Sequence, residues 1–149
     1  QRQMCIRDSP KLSQKLYDET YMLISKADLL GKLTKEVDWK DVCEIPLTLL
    51  TPDMRNRQLI DEIFRNLKLA PNVVAQASDF TSVISQVVHG QTATIAPKKL
   101  ADTFFELGKF KKLDLINPKV SNTIALSVKE YSPALPIMDA FKRSIQTIL

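Results

Sequence analysis

Between Pro46 and Leu67 the chain changes its hydrophobic period once, at a single corner. Leu47, Leu49 and Leu50 form a short apolar run of strand length. After Thr51, Pro52 and Asp53, the residues Leu59, Ile60, Ile63, Phe64 and Leu67 recur at helical spacing, with Arg55, Arg57, Asp61, Glu62 and Arg65 among them. The pattern predicts a buried strand, a tight corner and an amphipathic helix. Two caps compete at the corner. Thr51 before Pro52 suits a cap followed by a first-position proline, and Asp53 offers a better acceptor for the free amides.

The same unit recurs downstream. Val73 to Ala77 reads as a second strand, of the kind buried on both faces. Ser78 and Asp79 cap a second helix with Phe80, Val83, Ile84, Val87 and Val88 apolar, and Gly90 ends it through a left-handed conformation. Thr92 to Ala96 is a third strand closed by Pro97, and Lys98 to Leu107 a third helix with Leu100, Ala101, Phe104 and Leu107 inward. This alternation predicts a parallel sheet with right-handed crossovers. Upstream, Tyr21 to Ser25 has strand character, with Leu16 and Tyr17 in the same extended segment, and Asp28 to Lys35 is a polar loop. Asp38 caps a short helix carrying Trp39, Val42 and Cys43 on one face, closed before Pro46. Downstream come a fourth strand at Leu113 to Ile116 and a long one at Val120 to Glu130, with Ile124, Leu126 and Val128 inward and Thr123, Ser127 and Lys129 outward. Tyr131, Ser132 and Pro133 break it, and the chain ends in a helix with Ile137, Met138, Phe141, Ile145 and Ile148 on one face and Pro136 in its first turn.

The composition, 44% apolar and 26% charged over 149 residues, is that of a globular chain of one domain or two small lobes. No apolar run approaches the roughly 20 residues of a membrane-spanning helix. No secretory h-region stands at the start, so the expected setting is cytoplasmic, with no membrane partner. Cys5 and Cys43 give neither a disulfide framework nor metal-ligand spacing, and Cys43 reads as a small buried thiol. The net charge of +4 is modest, and its lysine clusters, Lys98–Lys99 and Lys109–Lys112, read as solvated surface rather than a nucleic-acid stripe. Residues 1–9, with the string MCIRDS, resemble a translated sequencing adapter and are set aside as a processing artefact.

Candidate chemistry is sparse. The single histidine, His89, sits at a helix end with no local nucleophile or orienting carboxylate, which suits a favourable helix C-terminus rather than a general base. Three glycines form no phosphate-binding fingerprint. Asp61 and Glu62 are adjacent on one helix and diverge, which reads as a solvated face. What stands out is Thr51 and Ser78 at the ends of two strands. In a parallel sheet both lie on one edge, where hydroxyls and free helix amides hold a carboxylate or similar anion. The bland alternative is that both residues only cap their helices.

The order of these segments resembles the C-terminal effector-binding region of LysR-type transcriptional regulators. The words that carry it are LYDETYMLIS, PLTLLTPDMRNRQLIDEIF, APNVVAQASDFTSVISQVVHGQ, TATIAPKKLAD and VSNTIALSV, over nearly all of Leu16 to Leu149. The resemblance implies an α/β, type 2 periplasmic-binding-protein-like bilobal fold, with the second lobe complete and the first partial. Residues 10–45 would be partial first lobe and crossover, 46–112 the second lobe, and 113–149 the crossover back and the C-terminal helix. It further implies that Thr51 and Pro52, and Ser78 with Asp79 and Phe80, face a ligand cleft. The implied partners are a small effector and further copies of the chain, with DNA bound only through a winged helix-turn-helix that this sequence lacks. No catalytic residue, metal or cofactor is expected. The runner-up is a solute-binding protein of a transport system with the same fold. An enzyme on that fold is a third reading, against which stands the lack of a nucleophile, base or metal constellation.

Overall fold

The computed structural model describes residues 11–31, 35–105, 110–129 and 136–148. Expectations for residues 1–10 and for Leu107, Lys109, Tyr131, Ser132 and Pro133 lie outside the described residues, as do the side chains of Phe104, Val128, Met138 and Ile148. The chain divides into two compact units, one of residues 1–19 with 122–149 and one of residues 20–121.

The larger unit holds a mixed sheet and a two-stranded parallel sheet linked to it by a single bridge, with helices on both faces. Its strands are the second half of β1 (Lys11–Lys26), β2 (Glu36–Asp38), β3 (Leu47–Leu50), β4 (Val73–Ala77), β5 (Thr94–Pro97) and β6 (Phe110–Ile116). β3 pairs with β4 in parallel, and a parallel bridge from Leu47 to Ala93 joins β3 to the entry of β5. β2 pairs with β6 in parallel. The exception to the expected parallel sheet is β1, which runs antiparallel to β5 on one side and to β6 on the other. Flanked by two strands, Tyr21 to Ser25 is buried at every position, which explains why this run is apolar without alternation.

Alternate side chains then feed two cores. Leu23, Leu47, Leu49, Ile95, Leu113 and Leu115 face a cluster completed by Trp39, Val42, Ile60 and Phe64, the helical residues coming from α1 (Trp39–Val42) and α2 (Arg55–Asn66). Trp39 and Phe64 meet edge to face at 5.2 Å between ring centroids. On the other face Met22, Ile24 and Ala96 pack with Ala101, Leu100 and Phe80, from α4 (Lys98–Phe105) and the start of α3 (Phe80–His89). One element and one core residue went unforeseen: β2, only three residues long, and Leu30, which is buried although its loop is polar.

Local chemistry corrects several expectations. Neither Thr51 nor Asp53 caps α2. The Met54 N–H donates to the Thr51 carbonyl at 3.0 Å, which closes a β-turn over Pro52 and Asp53 and makes Met54 the N-cap, with no side-chain acceptor. Ser78 does not cap α3, because Asp79 does, accepting from the Ser82 N–H at 2.8 Å. Gly90 is extended rather than left-handed (φ −93°). It is needed for close approach, since a Cβ there would stand 2.5 Å from the Gln86 carbonyl oxygen. β4 is not buried on both faces: its side chains alternate, Val73 packing against the core and Val74 lying 54% exposed on the opposite face. Asp61 is not simply solvated. It accepts from Arg57 Nε at 2.8 Å, while Arg57 Nη1 donates to the Leu50 carbonyl at 2.8 Å. Arg57, one of the charged residues interspersed along this helix, is thereby buried.

The smaller unit holds the first half of β1, β7 (Ser121–Lys129) and α5 (Pro136–Ile148), with β7 paired to β1. Thr123 donates to Asp18 at 2.9 Å, and Lys15 pairs with the same carboxylate at 2.6 Å. Ile124, expected inward, is exposed, and so are Ile137 and Phe141 on the apolar face of α5.

Three substitutions probe this framework. Gly90→Ala destabilises by about 1–3 kcal/mol, because the added methyl meets backbone rather than a movable side chain; chemical denaturation measures it. Arg57→Met costs about 1–3 kcal/mol by leaving the Leu50 carbonyl without its charged donor. The Asp79 carboxyl is held below its usual value by the Ser82 backbone N–H and then by the Ser82 hydroxyl. Its stabilisation is therefore complete above the unfolded-state value of about 3.9 and is lost as pH falls through the lower folded value. Asp79→Ala lowers Tm at pH 7 and flattens the acid limb of the Tm–pH curve.

Candidate functional site

The parallel strands bring their carboxyl ends to one edge of the larger unit, which is where open α/β sheets hold ligands. Leu50 lies opposite Ala77 in the ladder, and the Thr51 N–H donates to the Ala77 carbonyl at 3.0 Å. Thr51 and Ser78 therefore stand side by side just past paired strand ends. Pro52, Ser78 and Asp79 are exposed, and Thr51 and Phe80 half-buried.

The two corners are electrostatically unlike. At α3 the helix N-terminus is already occupied by its own anion: Asp79 takes the Ser82 N–H and, at 2.8 Å, the Ser82 hydroxyl. At α2 the cap has no side-chain acceptor and the first turn carries no acidic residue. The first amides of α2 are thus the ones left for an external acceptor. Arg57 stiffens this corner from beneath through the Leu50 carbonyl, and Gln58 Nε2 reaches the Pro52 and Asp53 carbonyls at 3.3 Å each. Phe80 is turned into the second core, packing against the cluster of Met22, Ile24, Ala96 and Ala101. Arg57 was the residue sequence reasoning missed. The available signal was its position one helical turn before Asp61.

Further along the same edge, away from these corners, a cavity of about 230 Å³ opens among β1, β6, the first residue of α4 and the turn after β6. None of Thr51, Pro52, Ser78, Asp79 and Phe80 lines it. That turn is tied to the start of α1. Asp38 accepts from the Lys40 N–H at 2.9 Å and from Asn117 Nδ2 at 2.9 Å, contacts that lower its pKa in that order of strength, and Trp39 Nε1 donates to the Pro118 carbonyl at 3.0 Å. Cys43, half-buried, has its thiol pushed up chiefly by burial. Among the described residues no group of three or more His, Cys, Asp and Glu side chains could hold a metal ion, and no helix is long and apolar enough to cross a membrane.

Solved structures share this architecture. CbnR, a LysR family transcriptional regulator, in its full-length complex with target DNA, superposes with a TM-score of 0.75 at 17% identity, covering 92% of this chain and 46% of its own. The effector-binding domain of QuiR in complex with shikimate gives 0.74 at 19% identity, covering 93% and 65%. The regulatory domain of Synechocystis PCC6803 CcmR in complex with 2-PG gives 0.75 at 12% identity, covering 95% and 68%. The chain thus spans under half of full-length CbnR and about two thirds of the two separate domains. At these identities the likeness speaks for the fold. No curated protein sequence matches the chain. The sequence itself matches the family model described as the LysR substrate binding domain over residues 5–148, and with nearly its whole length covered the chain belongs to that family.

Proposed function

We propose that the chain is the ligand-sensing part of a LysR-type DNA-binding transcriptional regulator, and that it binds a small organic anion at the carboxyl edge of the larger unit. The observation that carries the reading is the hydrogen bond from the Thr51 N–H to the Ala77 carbonyl, 3.0 Å, which sets the Thr51–Pro52 corner beside Ser78. Two hydroxyls and the uncapped amides of α2 then serve one anionic group, while Asp79 and Phe80 hold the second corner in place. Shikimate, the ligand of the QuiR domain, is a carboxylic acid, which agrees with an anionic effector.

In this reading residues 46–112 are most of the second lobe, and 10–45 with 113–149 supply crossovers and part of the first. The ligand acts by population shift, favouring one arrangement of a homo-oligomer. DNA is bound by a winged helix-turn-helix outside this chain, as a cytoplasmic regulator requires, and no reaction is catalysed. A solute-binding protein of a transport system would use the same corner, and the family match favours the regulator.

The test places Thr51→Val and Ser78→Ala in a chain that carries a DNA-binding domain. Each abolishes the inducer response in a reporter assay and leaves operator affinity within about twofold, since neither touches DNA. A full response in both variants would remove the corner from the site.

A further inference from the structure

One row of residues crosses β5, β1 and β6 near the edge of the sheet. Pro97 faces Tyr21, and because Met22 faces Asp114, Tyr21 lies level with Leu115. The cavity of about 230 Å³ opens on this row, walled by Tyr21 and Leu115, with Thr20, Lys98, Asp114 and Lys119 supplying its polar lining. It is smaller than the roughly 300–1,000 Å³ of pockets for drug-sized molecules, so its occupant is a small metabolite.

The charges around it are unequally engaged. Lys111 donates to the Gly31 carbonyl at 2.9 Å, and Lys112 pairs with Asp102. Lys98 and the Asp114 carboxylate have no hydrogen-bond or ion-pair partner among the described residues. Among the described residues Lys119 reaches only Glu36, at 3.8 Å, in a pair whose side chains are 71% and 51% exposed. Such a pair is worth little and exchanges readily for a better-placed anion. The backbone that carries Lys119 is nevertheless fixed, because Asn117 is bonded to Asp38 and Pro118 to Trp39.

We infer that this cavity binds a small hydroxylated carboxylate, with Lys98 and Lys119 taking the carboxylate and Asp114 accepting from a hydroxyl. Two ammoniums alone would take any anion. The half-buried Asp114 carboxylate repels an anion that brings no donor and rewards one that does. The site goes beyond the Thr51–Ser78 corner and uses none of its residues. It also has a reporter. Trp39 is the only tryptophan, fully buried, and its indole N–H is bonded to the residue preceding Lys119.

The experiment titrates the whole chain, ¹⁵N-labelled, with D-glycerate, propionate and inorganic phosphate, following the Trp39 indole resonance and fluorescence. D-glycerate shifts the resonance saturably and binds more tightly than propionate or phosphate. Lys98→Gln and Lys119→Gln each weaken D-glycerate binding by about tenfold or more, the loss of one charge-assisted contact. Asp114→Ala removes the preference of D-glycerate over propionate. If that variant does not fold by circular dichroism, Asp114→Asn, of the same size, is read against the same two acids and narrows the preference. The inference is overturned by the absence of a saturable shift, by equal binding of D-glycerate and propionate to the unaltered chain, or by binding that survives both lysine substitutions. D-glycerate binding lost in Thr51→Val but intact in the cavity variants also overturns it, and places the ligand at the corner. Failure of the corner reading is seen separately, in the inducer response.

Discussion

Everything at the carboxyl edge of the larger unit depends on the burial of Tyr21 to Ser25 between two strands that run against it. A strand with neighbours on both sides satisfies its backbone on both edges, and here its side chains feed a core on each face. Leu23 joins Ile95 and Leu113 on one face, and Met22 and Ile24 join Ala96 on the other. Because β1 pairs antiparallel with both β5 and β6, those two strands run the same way and end on the same edge. A slip of one residue in this register would exchange the two cores. It would also move Tyr21 away from Pro97 and dismantle the row on which the cavity opens.

The helix termini decide what that edge is able to hold. Two helices leave it from neighbouring strands, β3 and β4, and their first turns differ in one respect. Asp79 carries its own negative charge to the amides of α3 and is held below its usual pKa by doing so. α2 brings no such charge, since the turn from Thr51 to Met54 uses up Pro52 and Asp53 before the helix begins. The buried Arg57 adds a second constraint, tying the first turn of α2 to the last carbonyl of β3, so the corner is braced from within the protein. A pre-formed corner spends less of a ligand's interaction on ordering the chain.

The turn after β6 shows the same economy with other chemistry. Asn117 takes the left-handed conformation (φ 55°) that its short amide tolerates, and that amide closes on Asp38. Asp38 in turn caps α1, so a four-residue helix and a turn far along the chain share one carboxylate. The indole of Trp39 completes the tie by spending its one donor on Pro118.

Period and punctuation in the sequence were enough for the strand–corner–helix units at Pro46 to Leu67 and Val73 to Gly90, for the cap at Asp38, and for the pairing of Thr51 with Ser78 on one edge. Those features follow from local side-chain spacing and from the rule that alternating strands and helices pair in parallel. Direction and exposure did not follow. The sequence of Tyr21 to Ser25 is equally apolar in either orientation, and only its partners β5 and β6 make it antiparallel. Val74 and Val73 are the same residue type, yet only Val74 is exposed, because the pleat sends them to opposite faces and only the face of Val73 packs on the core. Gly90 was legible as a helix end but not as a close approach, since the oxygen that excludes a Cβ comes into place only when the helix forms. Asp79 and Asp53 are both acids next to a helix start, and hydrogen bonding alone made the first a cap and the second part of a turn. The sequence by itself determined which segments form and where the corners fall, because those depend on neighbours within a few residues. The tertiary structure decided which charges remain available at the edge, because that depends on partners brought in from distant parts of the chain.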